Sequence, residues 1–175
     1  MRVIAGKHKG KELFYPKNIR PSSQLHKKVV FDSIRPYISE SIFLDLFAGS
    51  GQIGIEALSQ GALHTTFVDN NKQSITSVLE NILKCNIENN QYLVIQASIS
   101  RYLHNNNSSF DIIYADPPYL KIQWSELEDI SNILHKNSIF VLKYSPKNPP
   151  PKFPNIEIIK SKNSKDTNIN FYQLK

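Results

Sequence analysis

The stretch that decides the fold is Leu44-Asp45-Leu46-Phe47-Ala48-Gly49-Ser50-Gly51-Gln52-Ile53-Gly54. Its first half predicts the end of a strand over 42–47, and its second half predicts a glycine turn that opens a helix over 52–60. Gly49, Gly51 and Gly54 match the GxGxxG pattern of nucleotide-binding turns, in which glycine lets the backbone approach a ligand. Asp69 follows Gly49 by 20 positions, at the end of the next predicted strand. An acid at that place accepts both hydrogen bonds of a ribose diol, so the stretch predicts a cofactor site.

Strands and helices alternate downstream of this turn. The predicted strands are 42–47, 64–68, 92–95, 110–115, 138–142, 156–159 and 169–174, and the predicted helices are 52–60, 72–88, 99–104 and 124–134. This alternation requires right-handed crossovers, and therefore a mainly parallel sheet with helices on both faces. The last two strands follow a proline-rich loop and have a short connection, which predicts an antiparallel pair at one edge of the sheet.

The first forty residues differ from this α/β core. Residues 2–15 contain two short extended runs around a glycine-bounded turn, which predicts a hairpin. A helix follows Ser22 or Ser23, either of which can cap it. The apolar sides of this helix and of the helix over 72–88 would carry Leu25, Val29, Val30, Ile34 and Ile38, and Ile75, Leu79, Ile82 and Leu83, respectively. At 175 residues the chain is expected to be a single domain, with a basic N-terminal extension over 1–40 and a core over 41–175.

Composition excludes several classes of protein. Hydrophobic residues make up 40% of the chain and charged residues 21%, which is ordinary for a globular protein. The single cysteine, Cys85, cannot form an internal disulfide, and no apolar run is long enough to span a bilayer. The N-terminal residues show no signal-peptide pattern, so a cytoplasmic location is expected. The five histidines lack metal-ligand spacing, so no metal site is expected.

Charge is distributed unevenly along the chain. Residues 1–40 carry a net charge of +6, residues 41–135 carry −6, and residues 136–175 carry +6. Basic blocks on either side of an acidic middle indicate a polyanionic partner such as nucleic acid, and a solvated basic surface is the alternative. The candidate RNA-binding residues are Arg2, Lys7, His8, Lys9, Lys11, Arg20, Lys27 and Lys28.

Asp45 bears on the choice of cofactor. It lies just before the glycine turn, where a carboxylate would repel a pyrophosphate but would suit a cation. S-adenosylmethionine carries a sulfonium and an ammonium and has no phosphate, so this site favours S-adenosylmethionine over NAD. A cap on the following turn is the structural alternative for Asp45.

A second motif, Asp116-Pro117-Pro118-Tyr119, directly follows the predicted strand over 110–115. Ligands of parallel sheets bind outside such strand ends. The two prolines stiffen the backbone and lack N–H groups, which leaves a corner rich in hydrogen-bond acceptors and suited to an amino group. Tyr119 offers an aromatic face on which a planar base can stack. The motif therefore predicts methylation of an amine, and a rigid proline turn with a packed tyrosine is the alternative.

These motifs, together with Gly54-Ile55-Glu56-Ala57-Leu58-Ser59 and Gly61-Ala62, resemble the RsmD family of 16S ribosomal RNA guanine-N2 methyltransferases. Residues 2–7, 10–13 and 20–22 and Phe31 are similar to the family's N-terminal extension, and Asp166-Thr167 and Tyr172 to its last strand. The resemblance implies a Rossmann-like class I methyltransferase fold with seven strands, the last one antiparallel. It also implies N2-methylation of guanine 966 in the small ribosomal subunit or its precursor, by an enzyme expected to be monomeric.

The resemblance also implies roles for individual residues. Asp45, Phe47, Gly49 and Gly51 would hold the methionine part of the cofactor, Asp69 and its neighbour Asn70 would lie at the ribose, and Asp116, Pro117, Pro118 and Tyr119 would hold the guanine amine. Two places depart from the family's pattern. Ser98 stands in for the Asp or Asn that usually binds the adenine amino group, and residues 22–28 lack an Asp-Arg pair and a later Arg-Glu.

Other functions remain open at this point. An adenine-N6 methyltransferase acting on DNA or RNA uses a similar turn, and only the basic extension and its family resemblance argue against it. A protein-glutamine methyltransferase would more usually carry Asn at position 116. A noncatalytic RNA-binding assembly factor could keep the fold, and an NAD oxidoreductase is the weakest alternative.

Overall fold

The computed structural model describes residues 1–15, 24–118 and 122–175. Within them, one sheet contains β1 (Ile42–Leu46), β2 (His64–Asp69), β3 (Tyr92–Gln96), β4 (Phe110–Ala115), β5 (Leu134–Tyr144), β6 (Ile156–Asn163) and β7 (Asn168–Leu174). The strand order is β3-β2-β1-β4-β5-β7-β6. Strands β1 to β5 pair in parallel, and β7 lies antiparallel between β5 and β6. The predicted fold class is confirmed, including the antiparallel last strand.

The helices of the described residues are α1 (Gln24–Ile34), α2 (Gln52–Ser59), α3 (Lys72–Cys85) and α4 (Ile99–Asn105), with 3₁₀ helices at Arg35–Tyr37, Asn89–Gln91 and Trp124–Ile133. Helix α3 ends earlier than predicted because Asn86 adopts a left-handed conformation and terminates it. The segment from Trp124 is a 3₁₀ helix where an α-helix was predicted. With a rise of about 2.0 Å per residue, this helix spans about 20 Å. That is the length of a six-residue strand such as β4.

The topology places a switch point between β1 and β4, where a sheet of this kind has its cleft. The chain leaves β1 toward β2 and β3 on one side, and β4 and β5 lie on its other side. Leu46 of β1 pairs with Ala115 of β4 in the last register position, so Phe47 and Asp116 follow side by side. Open parallel sheets bind ligands at such a switch point, outside the carboxyl ends of the strands.

Two hydrophobic clusters cover the faces of the sheet, and they correct part of the predicted core. Leu25, Leu79 and Leu83 are 68%, 40% and 72% exposed, so the prediction that they face inward is wrong. Helix α3 instead buries Ser74, Ser77, Val78, Asn81, Ile82 and Cys85. This stripe is more polar than expected because the side chain of Asn81 bonds to backbone of the N-terminal extension and of the glycine turn, as described below.

The N-terminal segment folds back on itself as predicted and packs on α2. Arg2 and Glu12 form an isolated antiparallel bridge, and Val3 N donates to the carbonyl oxygen of Lys11 at 3.0 Å. Gly6 has a φ of +78°, and a Cβ at this position would lie 1.6 Å from the Ser59 carbonyl oxygen at the end of α2. Only glycine allows this close approach, so the hairpin turn is fitted to that helix end.

No helix of the described ranges is long and apolar enough to cross a membrane.

Candidate active site

The glycine turn is built around Asp45. This carboxylate is 2% exposed, and its Oδ2 accepts a hydrogen bond from Gly54 N at 2.9 Å. A Cβ on Gly54 would lie 2.2 Å from the Phe67 ring, and a Cβ on Gly51, whose φ is +74°, would lie 3.1 Å from Val78. Gly54 is therefore required by packing against the Phe67 ring of β2, and Gly51 by its left-handed backbone together with its close contact to Val78 of α3.

Phe47 marks the end of β1 with an unusual backbone conformation. Its φ of +57° lies in the left-handed region, which a bulky residue rarely adopts. Gly49 follows with a φ of +57° as well. Strain of this kind costs about 1–3 kcal/mol and is found mainly where a binding site requires the conformation. The strain therefore falls on Phe47, which was predicted to hold the cofactor, whereas Gly49 adopts this conformation without strain.

Asp69 connects β2 to the turn. Its Oδ2 accepts from Gly49 N at 2.9 Å, and its Oδ1 accepts from Asn71 N at 2.9 Å. Asn70 is exposed beside it, and its carbonyl oxygen accepts from Gln96 Nε2 at 3.4 Å. Ser98 is half-buried immediately before α4, and its side chain makes no capping hydrogen bond to that helix. The structure thus gathers these predicted cofactor residues at the ends of β1, β2 and β3.

Asp116 lies at the end of β4, next to this turn. Pro117 is buried and Pro118 is exposed. Tyr119, the last residue of the predicted motif, lies outside the described residues. Asp116 Oδ2 accepts a hydrogen bond from Lys143 Nζ at 2.6 Å, and the two side chains are 23% and 7% exposed. The acid is therefore held by a buried lysine of β5 that the sequence analysis did not single out.

Three carboxylates lie at this edge of the sheet, and one of them, Asp116, is paired with the Lys143 ammonium. Burial raises the pKa of Asp45 well above its usual value, and the charges of Asp116 and Asp69 raise it further, against the hydrogen bond from Gly54 N. Burial raises the pKa of the Tyr15 phenol, and the negative charge of Asp116 raises it further. A cationic ligand placed beside Asp45 and Asp69 would relieve the repulsion between these two acids.

Tyr15 and Asn81 are further residues of this region that sequence reasoning missed. The Tyr15 hydroxyl is buried and has no hydrogen-bond partner. Asn81 Nδ2 donates to the carbonyl oxygens of Phe14 and Ser50, at 3.0 and 2.9 Å, and its Oδ1 accepts from Phe14 N. Asn81 thus ties the segment before Tyr15 to the glycine turn. The sequence offers one signal for Asn81, because this polar residue lies on the same face of α3 as Val78, Ile82 and Cys85.

Six of the eight predicted RNA contacts divide into three groups. Lys7, Lys9 and Lys11 are exposed at the hairpin. Arg2 and Lys28 are also exposed, but each forms an ion pair, with Glu12 and Asp32 respectively. Arg20 lies outside the residues that the structure describes.

Two of the predicted RNA contacts are wrong. Lys27 is 0% exposed because its Nζ pairs with Glu56 at 2.9 Å and donates to the Arg2 carbonyl oxygen at 2.7 Å. His8 is 8% exposed, and burial lowers its pKa, with the charges of Lys7 and Lys11 adding to the effect. Its ring therefore brings little positive charge to a phosphate at neutral pH.

Throughout residues 1–15, 24–118 and 122–175, no group of His, Cys, Asp and Glu side chains is arranged to hold a metal ion.

Solved structures of the same architecture define the class of fold. A protein of Escherichia coli, provisionally described as a methyltransferase, superposes with a TM-score of 0.89 at 22% identity, covering 100% of this chain and 98% of its own. A protein of Haemophilus influenzae, provisionally described as a methylase, superposes with a TM-score of 0.81 at 29% identity, covering 99% and 97%. The fold is that of the class I methyltransferases.

The chain belongs to the family described as conserved hypothetical protein 95, whose model matches residues 1–173. Relatives named ribosomal RNA small subunit methyltransferase D come from Haemophilus influenzae, 37% identical over 125 residues, and Buchnera aphidicola, 34% identical over 120 residues. The alignments cover 68% and 67% of this chain, and 64% and 62% of the relatives. The matched part therefore spans a little less than two thirds of these relatives' length. The resemblance to the RsmD family is confirmed.

Proposed function

We propose that this protein transfers a methyl group from S-adenosylmethionine to the exocyclic N2 amine of a guanine in 16S ribosomal RNA. The observation that carries the proposal is the position of Asp116 and its prolines at the end of β4, beside the glycine turn at the end of β1. The relatives named ribosomal RNA small subunit methyltransferase D support ribosomal RNA as the substrate. The family's guanine 966 is the proposed target.

The carboxylates of the cleft suit this cofactor. Asp45 and Asp69 place two carboxylates at the turn, which favours a cation and opposes a pyrophosphate. When bound, S-adenosylmethionine supplies a methyl group activated by a sulfonium. The residues proposed to hold it are Asp45, Phe47, Gly49 and Gly51 for the methionine part, Asp69 and Asn70 for the ribose, and Ser98 for the adenine.

The corner at Asp116 is proposed to prepare the amine for attack. The lone pair of a guanine amine is delocalised into the ring, and acceptors on both N–H bonds favour the pyramidal form in which it is available. Asp116 supplies a carboxylate acceptor, and Pro117 and Pro118 add no competing donors. The nitrogen must lose a proton when its new bond forms, and the Asp116 carboxylate can take or relay that proton. Tyr119 is proposed as the surface on which the base stacks.

We also propose the setting of the reaction. The protein would act in the cytoplasm as a single-domain monomer, with 41–175 as the catalytic core and 1–40 as the RNA-binding extension. Its partner would be the small ribosomal subunit or a precursor. Lys7, Lys9 and Lys11 are proposed to bind the phosphate backbone, and Arg2, Arg20 and Lys28 are proposed as further RNA contacts.

The experiment that tests the function uses small subunits that lack the modification. They are incubated with the protein and tritiated S-adenosylmethionine, and the labelled nucleoside is identified by mass spectrometry. The proposal expects N2-methylguanosine at a single position. Label on adenine N6 would instead establish the adenine methyltransferase alternative. Binding of the cofactor to the protein without any transfer would favour a noncatalytic assembly factor.

A further inference from the structure

Two buried lysines of this chain have different surroundings. Lys27 is held by Glu56 and by the Arg2 carbonyl oxygen, and it joins the N-terminal extension to α2. Lys143 comes from β5 and its ammonium reaches Asp116 at 2.6 Å, in the proposed active site. A buried ion pair contributes little net stability compared with apolar side chains of similar size. Stability therefore does not account for a lysine at position 143.

The sheet itself fixes the geometry of this second pair. Ala115 of β4 is in register with Leu142 of β5, so Asp116 and Lys143 are the next residues of two adjacent parallel strands. The pair joins Lys143 Nζ to one oxygen of the carboxylate, Oδ2. Anchoring one oxygen fixes the orientation of the carboxylate at the end of β4.

The pair also sets the charge of the corner. A lone carboxylate in a partly buried site would attract a positively charged amine, such as a lysine side chain. With an ammonium 2.6 Å away the corner has no net charge, and a second cation beside Asp116 would be repelled by Lys143. A neutral amine conjugated to a ring or a carbonyl experiences no such repulsion, and it needs only an acceptor of fixed direction.

We infer that Lys143 is a positioning and specificity-determining residue: by pairing with Asp116 it directs the carboxylate and restricts the methyl acceptor to neutral conjugated amines. This inference rests on the proposed function and adds to it the means by which alkylammonium groups are rejected.

The test compares four proteins on unmodified small subunits: the wild type, Lys143→Met, Lys143→Arg and Lys136→Met. Lys136 is the matched control because it is an exposed lysine of the same strand. For each protein, kcat and KM for the subunit are measured with tritiated S-adenosylmethionine, together with calorimetric affinity for the cofactor and the melting temperature. Mass spectrometry then separates label on nucleobases from label on lysine side chains of the ribosomal proteins.

We expect Lys143→Met to impair methyl transfer to the acceptor amine and to leave binding of the cofactor intact. Lys143→Met should lower kcat about 10- to 100-fold, as a misdirected catalytic group does, while cofactor affinity stays within a few-fold of wild type. Lys143→Arg should recover part of the rate, Lys136→Met should match the wild type, and wild-type label should be confined to nucleobases. A second measurement probes the pair directly: Asp116→Asn should lower the melting temperature, and adding Lys143→Met should restore it, because the stranded ammonium is then removed.

The outcomes that overturn the inference are distinct from failure of the proposed function. Wild-type transfer that is undiminished in Lys143→Met overturns the inference alone. The same holds if cofactor affinity and activity fall in parallel in that variant, or if the wild type labels lysine side chains as well as nucleobases. Absence of any transfer by the wild-type protein overturns the proposed function, and this inference with it.

Discussion

Lys27 of α1 and Glu56 of α2 form an ion pair of 2.9 Å in which neither side chain is exposed to solvent. The same carboxylate accepts from the backbone N–H groups of Ile4 and Ala5, at 2.9 and 3.0 Å. One buried acid thus joins the hairpin, α1 and α2. Because α2 begins at the glycine turn, this network connects the proposed RNA-binding extension to the proposed cofactor site.

Lys27→Met is expected to destabilise the protein strongly. It leaves the Glu56 carboxylate buried without its cation, and breaking such a pair costs about 3–5 kcal/mol. The free energy of unfolding, measured by denaturant titration, checks this. Lys28→Met is the matched control, since the neighbouring lysine forms an exposed pair with Asp32 and its loss should change stability little. Equal stability of the two variants would contradict the role given to the buried pair.

Asp45→Asn is expected to stabilise the ligand-free protein while weakening cofactor binding. The raised pKa of Asp45, caused mainly by burial, means that ionisation of this group opposes folding. Its contribution to stability is present below the pKa of the unfolded chain and is lost as the pH rises through the folded-state pKa. The gain in melting temperature should therefore be larger at pH 8 than at pH 4. An asparagine oxygen can still accept from Gly54 N.

Calorimetry checks the second half of that prediction. A cationic ligand loses a charged partner in Asp45→Asn, so affinity for S-adenosylmethionine should fall by about tenfold or more. Asp166→Asn, at an exposed residue away from the turn, is the control. Wild-type affinity in Asp45→Asn would show that this acid caps the turn and does not bind the cofactor.

Tyr15→Phe is expected to leave stability unchanged or to raise it. The hydroxyl of Tyr15 is buried without a hydrogen-bond partner, so removing it relieves a desolvation cost. Tyr172→Phe is the matched control, because its hydroxyl accepts from Asn170 Nδ2 at 3.1 Å, and losing that bond should cost about 1 kcal/mol. Thermal unfolding of both variants distinguishes them, and a lower melting temperature for Tyr15→Phe would contradict the prediction.

Replacing Lys7, Lys9 and Lys11 with Gln is expected to weaken RNA binding and to reduce its dependence on salt. Each phosphate contact that is lost should lower the slope of log affinity against log salt by about 1. The control is the triple replacement of Lys162, Lys165 and Lys175, which are exposed near the other end of the sheet. A salt slope of the hairpin variant equal to that of the wild type would remove the hairpin from the RNA interface.

The sequence was sufficient to predict the fold and the edge of the sheet at which the candidate site residues lie. The alternation of apolar strands with amphipathic helices is a local signal, and so is the strand that leads into Gly49. Because carboxyl ends of parallel strands meet at one edge, the proximity of Asp45, Asp69 and Asp116 followed from the predicted topology.

The pairings that cross between elements were not predictable in the same way. Lys27 looks like any basic residue of an exposed helix until its partner in α2 is known. Lys143 carried a weak signal, as a charge at the end of an apolar strand, but only the register of β4 and β5 shows that it meets Asp116. The requirement for Gly54 likewise depends on the Phe67 ring of the adjacent strand.

Transfer by Asp116→Ala tests the central claim most directly, because that claim assigns the methyl-accepting amine to the corner at Asp116. Label incorporation into unmodified small subunits is measured for this variant and for Asp111→Ala, which removes the carboxylate at the other end of β4. We predict that Asp116→Ala abolishes transfer with cofactor affinity within a few-fold of wild type, while Asp111→Ala remains active. Undiminished turnover in Asp116→Ala would contradict the account.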